Sequence, residues 1–288
     1  METPNNPTLR TLAVHFDLEM YARQIPQWRG AFVEFAGVEN DLFHNHKNDL
    51  AWINDHLPLT EAEEASALED GEWSIDKDKS ALENGQFSLV QESYHYRYPL
   101  IQYRSYKRMA SIFALNDGIE AIQQVLSTNA WRINWEGEPR PLQITGMQMQ
   151  EYTLRMLARP KTYQLFKWLA LNAENYEKWQ QCTGLVDRIA LLERILASHI
   201  IAFAGSVGWR VPERLEVRLQ DLQRVDMLYC HGIPLLAFNV TYTVNALLPP
   251  HIALGKGVSH GYGWQVPYRV AMPNGGAKAG LVRRREEF

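Results

Sequence analysis

The chain opens on alternation. Over residues 9–16, Leu12, Val14 and Phe16 are apolar and their neighbours more polar, the period of a half-buried strand. Helical spacing takes over after Pro26, a residue suited to a helix's first turn. Trp28, Phe32 and Phe35 follow at intervals of four and three, and Gly37 marks the predicted stop. Strand character returns over residues 94–103 and again over 109–115. Asn116 and Asp117 then offer caps for a helix that carries Ile119, Ile122, Val125 and Leu126 on one face. A strand-rich region covers residues 142–157. This order (strand, helix, two strands, helix, strand) is that of the ferredoxin-like and RNA-recognition domains.

The second half begins with residues 163–179, rich in tryptophan and tyrosine but without a clear period. A helix is predicted over 186–204, with Ile189, Leu192, Leu196 and Ile200 on one side and Gly205 and Gly208 at its end. Strands are expected at 215–219, 227–230 and 235–245, followed by a glycine-rich loop over 255–263. Residues 227–255 carry no formal charge. They make a poor membrane span, because Pro234, Pro249 and Pro250 interrupt them and Asn239, Thr241, Thr243 and Asn245 alternate with apolar residues.

Composition adds bounds. At 288 residues the chain is long enough for two domains, and 46% hydrophobic with 22% charged residues is ordinary for a globular protein. Two cysteines, Cys182 and Cys230, exclude a disulfide scaffold. The N-terminus shows no basic region followed by an apolar one, so no secretory signal is read there, and a cytoplasmic soluble protein is expected. Net charge is −4 but uneven: residues 60–92 hold ten acidic and two basic residues, leaving the rest mildly basic. A polyanionic partner is therefore compatible with the chain, since binding follows the local patch.

Four features carry candidate chemistry. His44 and His46 follow the first predicted helix; histidine titrates near neutrality and can move a proton in catalysis. On an extended segment the two would face opposite ways. Arg97, Arg104, Lys107 and Arg108 lie among five tyrosines between Tyr94 and Arg108 with no acid, a pattern that suits phosphates and stacked bases as well as an ordinary surface hairpin. The loop Gly255-Lys256-Gly257-Val258-Ser259-His260-Gly261-Tyr262-Gly263 lets backbone approach a phosphate, with Lys256 adding charge. It is not a Walker loop, since no Gly-Lys-Ser/Thr closes it. Arg283, Arg284 and Arg285 form a basic tail, the kind of run that is usually solvated.

Taken together the pieces resemble the CRISPR-associated endoribonucleases that process repeat RNA. Trp28-Arg29-Gly30-Ala31-Phe32 leading to Leu42-Phe43-His44-Asn45-His46 is similar to that family's first helix and histidine segment. Tyr98-Pro99-Leu100-Ile101-Gln102-Tyr103 is similar to its central strand, and the segment from Leu248 through Gly263 to its glycine-rich loop. The helix ending Ile200-Ile201-Ala202-Phe203-Ala204, with Gly208-Trp209 after it, also fits.

The resemblance implies an α+β fold of two ferredoxin-like domains in tandem with a cleft between them, over residues 1–155 and 156–288. The first would hold an acidic insertion near 50–88, longer and more acidic than the family pattern. It implies metal-independent cleavage of CRISPR repeat RNA by 2′-hydroxyl attack, leaving a 2′,3′-cyclic phosphate and a 5′-hydroxyl, with no cofactor. His44 or His46 would take the proton-transfer role. Arg97, Arg104, Lys107, Arg108, Gly255, Lys256, Gly257, His260, Gly261 and Gly263 would meet RNA. Effector-complex proteins and a second copy of the chain are further partners under this reading, and no membrane is. One alternative is a non-cleaving subunit that holds CRISPR RNA in an effector complex. Another is a metal-dependent hydrolase built on His44, His46, Asp41 and Asp49, whose spacing matches no metal-ligand pattern.

Overall fold

The computed structural model describes residues 6–37, 42–43, 98–127, 131–230 and 233–268. The predicted first strand extends at both ends as β1 (Thr8–Glu19). Its even positions Leu12, Val14, Phe16 and Leu18 are fully buried against α1 (Ile25–Ala36), which carries Pro26 in its first turn and stops at Gly37. Trp28 and Phe32 of α1 lie 5.2 and 6.0 Å from the Phe16 ring, and Trp28 Nε1 donates to the Ser111 carbonyl at 3.2 Å. This aromatic packing anchors the helix on one face of the sheet.

β2 (Ile101–Tyr106) and β3 (Met109–Leu115) form a hairpin, and α2 (Asp117–Leu126) follows. Here the sequence reading placed the strand early: residues 98–100 approach β2 without pairing as strand, and 94–97 lie outside the described residues. A small hairpin that alternation did not show comes next, β4 (Arg132–Trp135) and β5 (Glu138–Pro141), turning on Glu136 and Gly137 at φ 54° and 88°. β6 (Ile144–Thr153) completes a four-stranded antiparallel sheet in the order β2-β3-β1-β6. That is the ferredoxin-like arrangement, with the β4–β5 hairpin inserted before the last strand.

The second half repeats the plan. The Trp- and Tyr-rich stretch is not irregular: β7 runs Arg155–Leu169 and α3 Ala173–Gln181. α4 (Leu185–Ser206) contains Gly205 and runs two residues past the predicted end, leaving the helix at Val207 and Gly208. The strands expected at 215–219 and 227–230 are one strand, β8 (Val217–Cys230), pairing with β9 (Ile233–Leu247). Register shifts between Leu219 and Asp221 and between Leu222 and Arg224 break the alternation there, and so split its signal. With β10 (Trp264–Pro267) the sheet order is β10-β7-β9-β8, all antiparallel. Where a second helix would lie, the chain instead carries residues 248–263, with one short 3₁₀ turn at Val258–His260.

The uncharged run is explained by β9, a central strand with Ala237, Phe238, Val240, Tyr242 and Val244 all buried. α4 is long and apolar enough to cross a membrane by length and composition. Its Leu192, Leu196, Ile200 and Phe203 are fully buried in the core, as in a core helix. That core is continuous between the halves: Leu9, Tyr98, Phe113 and Leu115 pack in one cluster with Leu165, Trp168, Phe203 and Phe238. A second cluster lies between the first sheet and helices α1 and α2.

Candidate nucleic-acid interface

The odd positions of β1 point away from α1, and with them the less apolar side of the first sheet faces the second half. Ala13 and His15 there line a cavity of about 800 Å³, together with Arg104 and Tyr106 of β2, Lys167 of β7, Asp226 of β8, and His251, His260 and Trp264 of the final segment. Its walls are aromatic and cationic, with Asp226 as an acidic member.

Each charged group is held by its neighbours. His15 Nδ1 lies 2.7 Å from Ser111 Oγ, and its ring stacks on Tyr106 at 4.9 Å. Burial, then the Lys107 ammonium, pull its pKa below the usual histidine value. The Arg104 guanidinium lies over the Phe113 ring at 4.5 Å and 5.8 Å from Trp264. It donates to Gln102 Oε1; Gln102 Nε2 donates to Tyr98 Oη at 2.9 Å, and Tyr98 donates to the Ala253 carbonyl at 2.7 Å. Burial lowers the Arg104 pKa to about 9, with Tyr98 opposing, which leaves it cationic at neutral pH. His251 stacks on Trp264 at 5.4 Å with a left-handed backbone, φ 68°. Burial first, then Arg104, bring its pKa to about 4.

Lys167 reaches the cavity through a bulge. Register between β7 and β9 shifts between Leu165 and Trp168, and Lys167 adopts φ 49°. Its amide donates to Asn239 Oδ1 at 2.8 Å. A bulge re-aims one side chain without ending the strand. Asp226 is already engaged by Arg224 and by Asn239 Nδ2 at 3.3 Å.

Of the residues expected to meet RNA, Arg104, His260 and Gly261 line this cavity. Lys107 and Arg108 do not line it. They form the β2–β3 turn at φ 50° and 62°, with Lys107 Nζ over the Tyr106 ring and Arg108 paired to Glu19 at 2.7 Å. Tyr98 and Tyr103, read as stacking candidates, are 4% and 2% exposed and belong to the core. Gly255, Lys256, Gly257 and Gly263 shape the loop behind the cavity. The amides of Lys256, His260, Gly261 and Gly263 donate to the carbonyls of Leu169, Gly257, Val258 and Lys167, so these four are spent on the fold. Gly263, at φ 69°, could not carry a side chain: a Cβ there would sit 1.9 Å from the Leu254 carbonyl oxygen. A Cβ on Gly261 would lie 2.6 Å from Ile25 Cδ1, so this glycine lets the loop close on the start of α1. His44, His46, Arg97, the acidic segment and Arg283 to Arg285 lie outside the described residues.

His15, His251 and Lys167 were not singled out by sequence. His15 carried a usable signal, because it is in phase with Thr11 and Ala13 on the less apolar face of β1. Lys167 carried none, since a bulge cannot be read from composition. Among the described residues no group of three or more His, Cys, Asp or Glu is placed to hold a metal ion.

Two family models match the chain in tandem: the Cas6b N-terminal domain over residues 86–153 and the Cas6b C-terminal domain over residues 155–267. Among solved structures, one described as a crystal structure of Cas6b shares 17% identity at a TM-score of 0.66, over 91% of this chain and 100% of that one. A second, a CRISPR RNA processing endoribonuclease Cas6b, shares 18% identity at a TM-score of 0.58 with the same coverage. At these identities the likeness concerns the fold, here α+β with antiparallel sheets. No curated protein matches the sequence.

Proposed function

Because the chain belongs to the Cas6b family, we propose that it is an endoribonuclease that cleaves CRISPR repeat RNA to produce mature CRISPR RNAs. The observation that carries this reading is the tandem match of both family models. The cationic, histidine-bearing cavity is consistent with it, because phosphodiesters are recognised by positive and stacking groups.

In the proposed reaction the ribose 2′-oxygen attacks the adjacent phosphorus and the bond to the 5′-oxygen breaks. The 2′-hydroxyl proton goes to a base and the departing 5′-oxygen receives one from an acid. The products are a 2′,3′-cyclic phosphate and a 5′-hydroxyl, and no metal or cofactor is needed. His44 or His46 serves as base or acid, a role worth about 10² to 10⁴-fold in rate. Charge stabilisation by cations such as Arg104 and Lys167 supplements it. The chain is taken as two domains, 1–155 and 156–288, acting in the cytoplasm.

The test is cleavage of end-labelled repeat RNA in EDTA by the wild type and by His44→Ala and His46→Ala. The expected result is one cut with a cyclic phosphate end, slowed at least about 100-fold by one of the two substitutions. Dependence on added metal would overturn the mechanism. Tight binding without cleavage, across several authentic repeats, would favour the RNA-holding subunit instead.

A further inference from the structure

Arg104 is a cation of the cavity wall that no carboxylate among the described residues neutralises. Among the described residues its contacts are two aromatic rings and a neutral amide, with no carboxylate. Asp226 does not supply one, since Arg224 and Asn239 occupy it. A part-buried guanidinium with no carboxylate beside it is stabilised by an anion that completes it. The side chain is also fixed: Gln102 is fully buried, Tyr98 is 4% exposed, and together they tie the guanidinium to the Ala253 carbonyl. A rigid fork of donors over an aromatic floor is the geometry with which arginine takes phosphate.

His251 shares the same indole. Its ring stacks on Trp264, the ring that Arg104 also approaches. Its ring nitrogens make no hydrogen bond to a described residue, and its left-handed backbone holds it at the cavity wall. The two groups repel one another when both are charged, and an anion between them relieves that repulsion.

We infer that Arg104 and His251 form a subsite for one phosphate of the bound RNA, built on the Trp264 ring. This rests on the reading of the chain as a repeat-RNA endoribonuclease and adds to it His251, together with a phosphate site assembled from β2 and the final segment.

The test is a charge-deletion scan of the ligand. Repeat RNAs made non-cleavable by a 2′-deoxy at the cut site each carry one uncharged 2′-O-methyl methylphosphonate. They are compared with the matched 2′-O-methyl phosphodiester by equilibrium binding. The wild type should lose about 10- to 100-fold in affinity at one linkage, the worth of a charge-assisted contact. Arg104→Gln and His251→Asn should bind the parent RNA more weakly yet show a reduced loss at that linkage. Arg104→Gln should also flatten the salt dependence by about 0.7 in slope.

The wild-type scan does not depend on any variant folding, and thermal unfolding confirms that each variant is intact. Equal affinity at every linkage would overturn the subsite while leaving the endoribonuclease reading in place. So would a sensitive linkage that stays equally sensitive in both variants. Failure of the wild type to bind any repeat RNA would remove the functional reading, and the subsite with it.

Discussion

Acid should loosen the second half through one histidine. His199 of α4 accepts a hydrogen bond at Nδ1 from Nε1 of the fully buried Trp168, at 3.1 Å. The two rings meet edge-on at 5.9 Å. Protonating Nδ1 would set two donors against each other. Burial, then the Lys256 charge, hold its pKa at about 4, against an ordinary value of 6.5. The folded pKa is the lower one, so the unfolded chain binds the proton more readily between these values. The contribution is intact above pH 6.5 and is lost as pH falls towards 4.

Over that span the loss approaches about 3 kcal/mol, of which about 2 kcal/mol is gone by pH 5. The assay is urea unfolding at pH 7 and pH 5 for the wild type and His199→Gln, whose side-chain oxygen can still accept from Trp168. The variant should lose about 2 kcal/mol less between the two pH values. His251, with its pKa also near 4, acts in the same direction in both proteins and cancels in the comparison. Equal losses in the two proteins would refute the assignment.

Other expectations separate tight sites from open ones. Gly263→Ala drives a Cβ into the Leu254 carbonyl at φ 69° and should cost about 2 to 4 kcal/mol in thermal or urea unfolding. Gly205→Ala places its Cβ in open space on α4 and should raise stability by about 0.5 to 1 kcal/mol. Glu120→Gln removes an ion pair with Arg10 in which both side chains are about half exposed. It should change stability by less than about 1 kcal/mol, and by less still in high salt.

Where one face of an element is buried and the other is not, the chain announced its structure. β1, α1 and α4 were legible for that reason, since Leu12 to Leu18 and Trp28 to Phe35 repeat at the periods their packing demands. β8 was not, because bulges move Asp221 and Arg224 out of phase. β7 was hidden differently: its Tyr163, Leu165 and Trp168 are buried while Lys161 and Lys167 interrupt the run.

The candidate site was legible in its chemistry more than in its geometry. Arg104, His260 and Gly261 were found from residue type and do line the cavity. His251 and Lys167 owe their place to left-handed backbones at φ 68° and 49°, which a chain of ordinary residues does not advertise. The glycines were read as a cradle for phosphate, yet at Gly261 and Gly263 the fold itself demands them.

The most direct test of the central claim uses one atom of the substrate. Wild-type protein is mixed with its repeat RNA and with the same RNA bearing a single 2′-deoxy at the cut site, in EDTA. The account predicts equal binding of both and a single cut in the first alone, because only there is the attacking hydroxyl present. Cleavage of the deoxy RNA at that linkage, or binding of both with cleavage of neither, would contradict it.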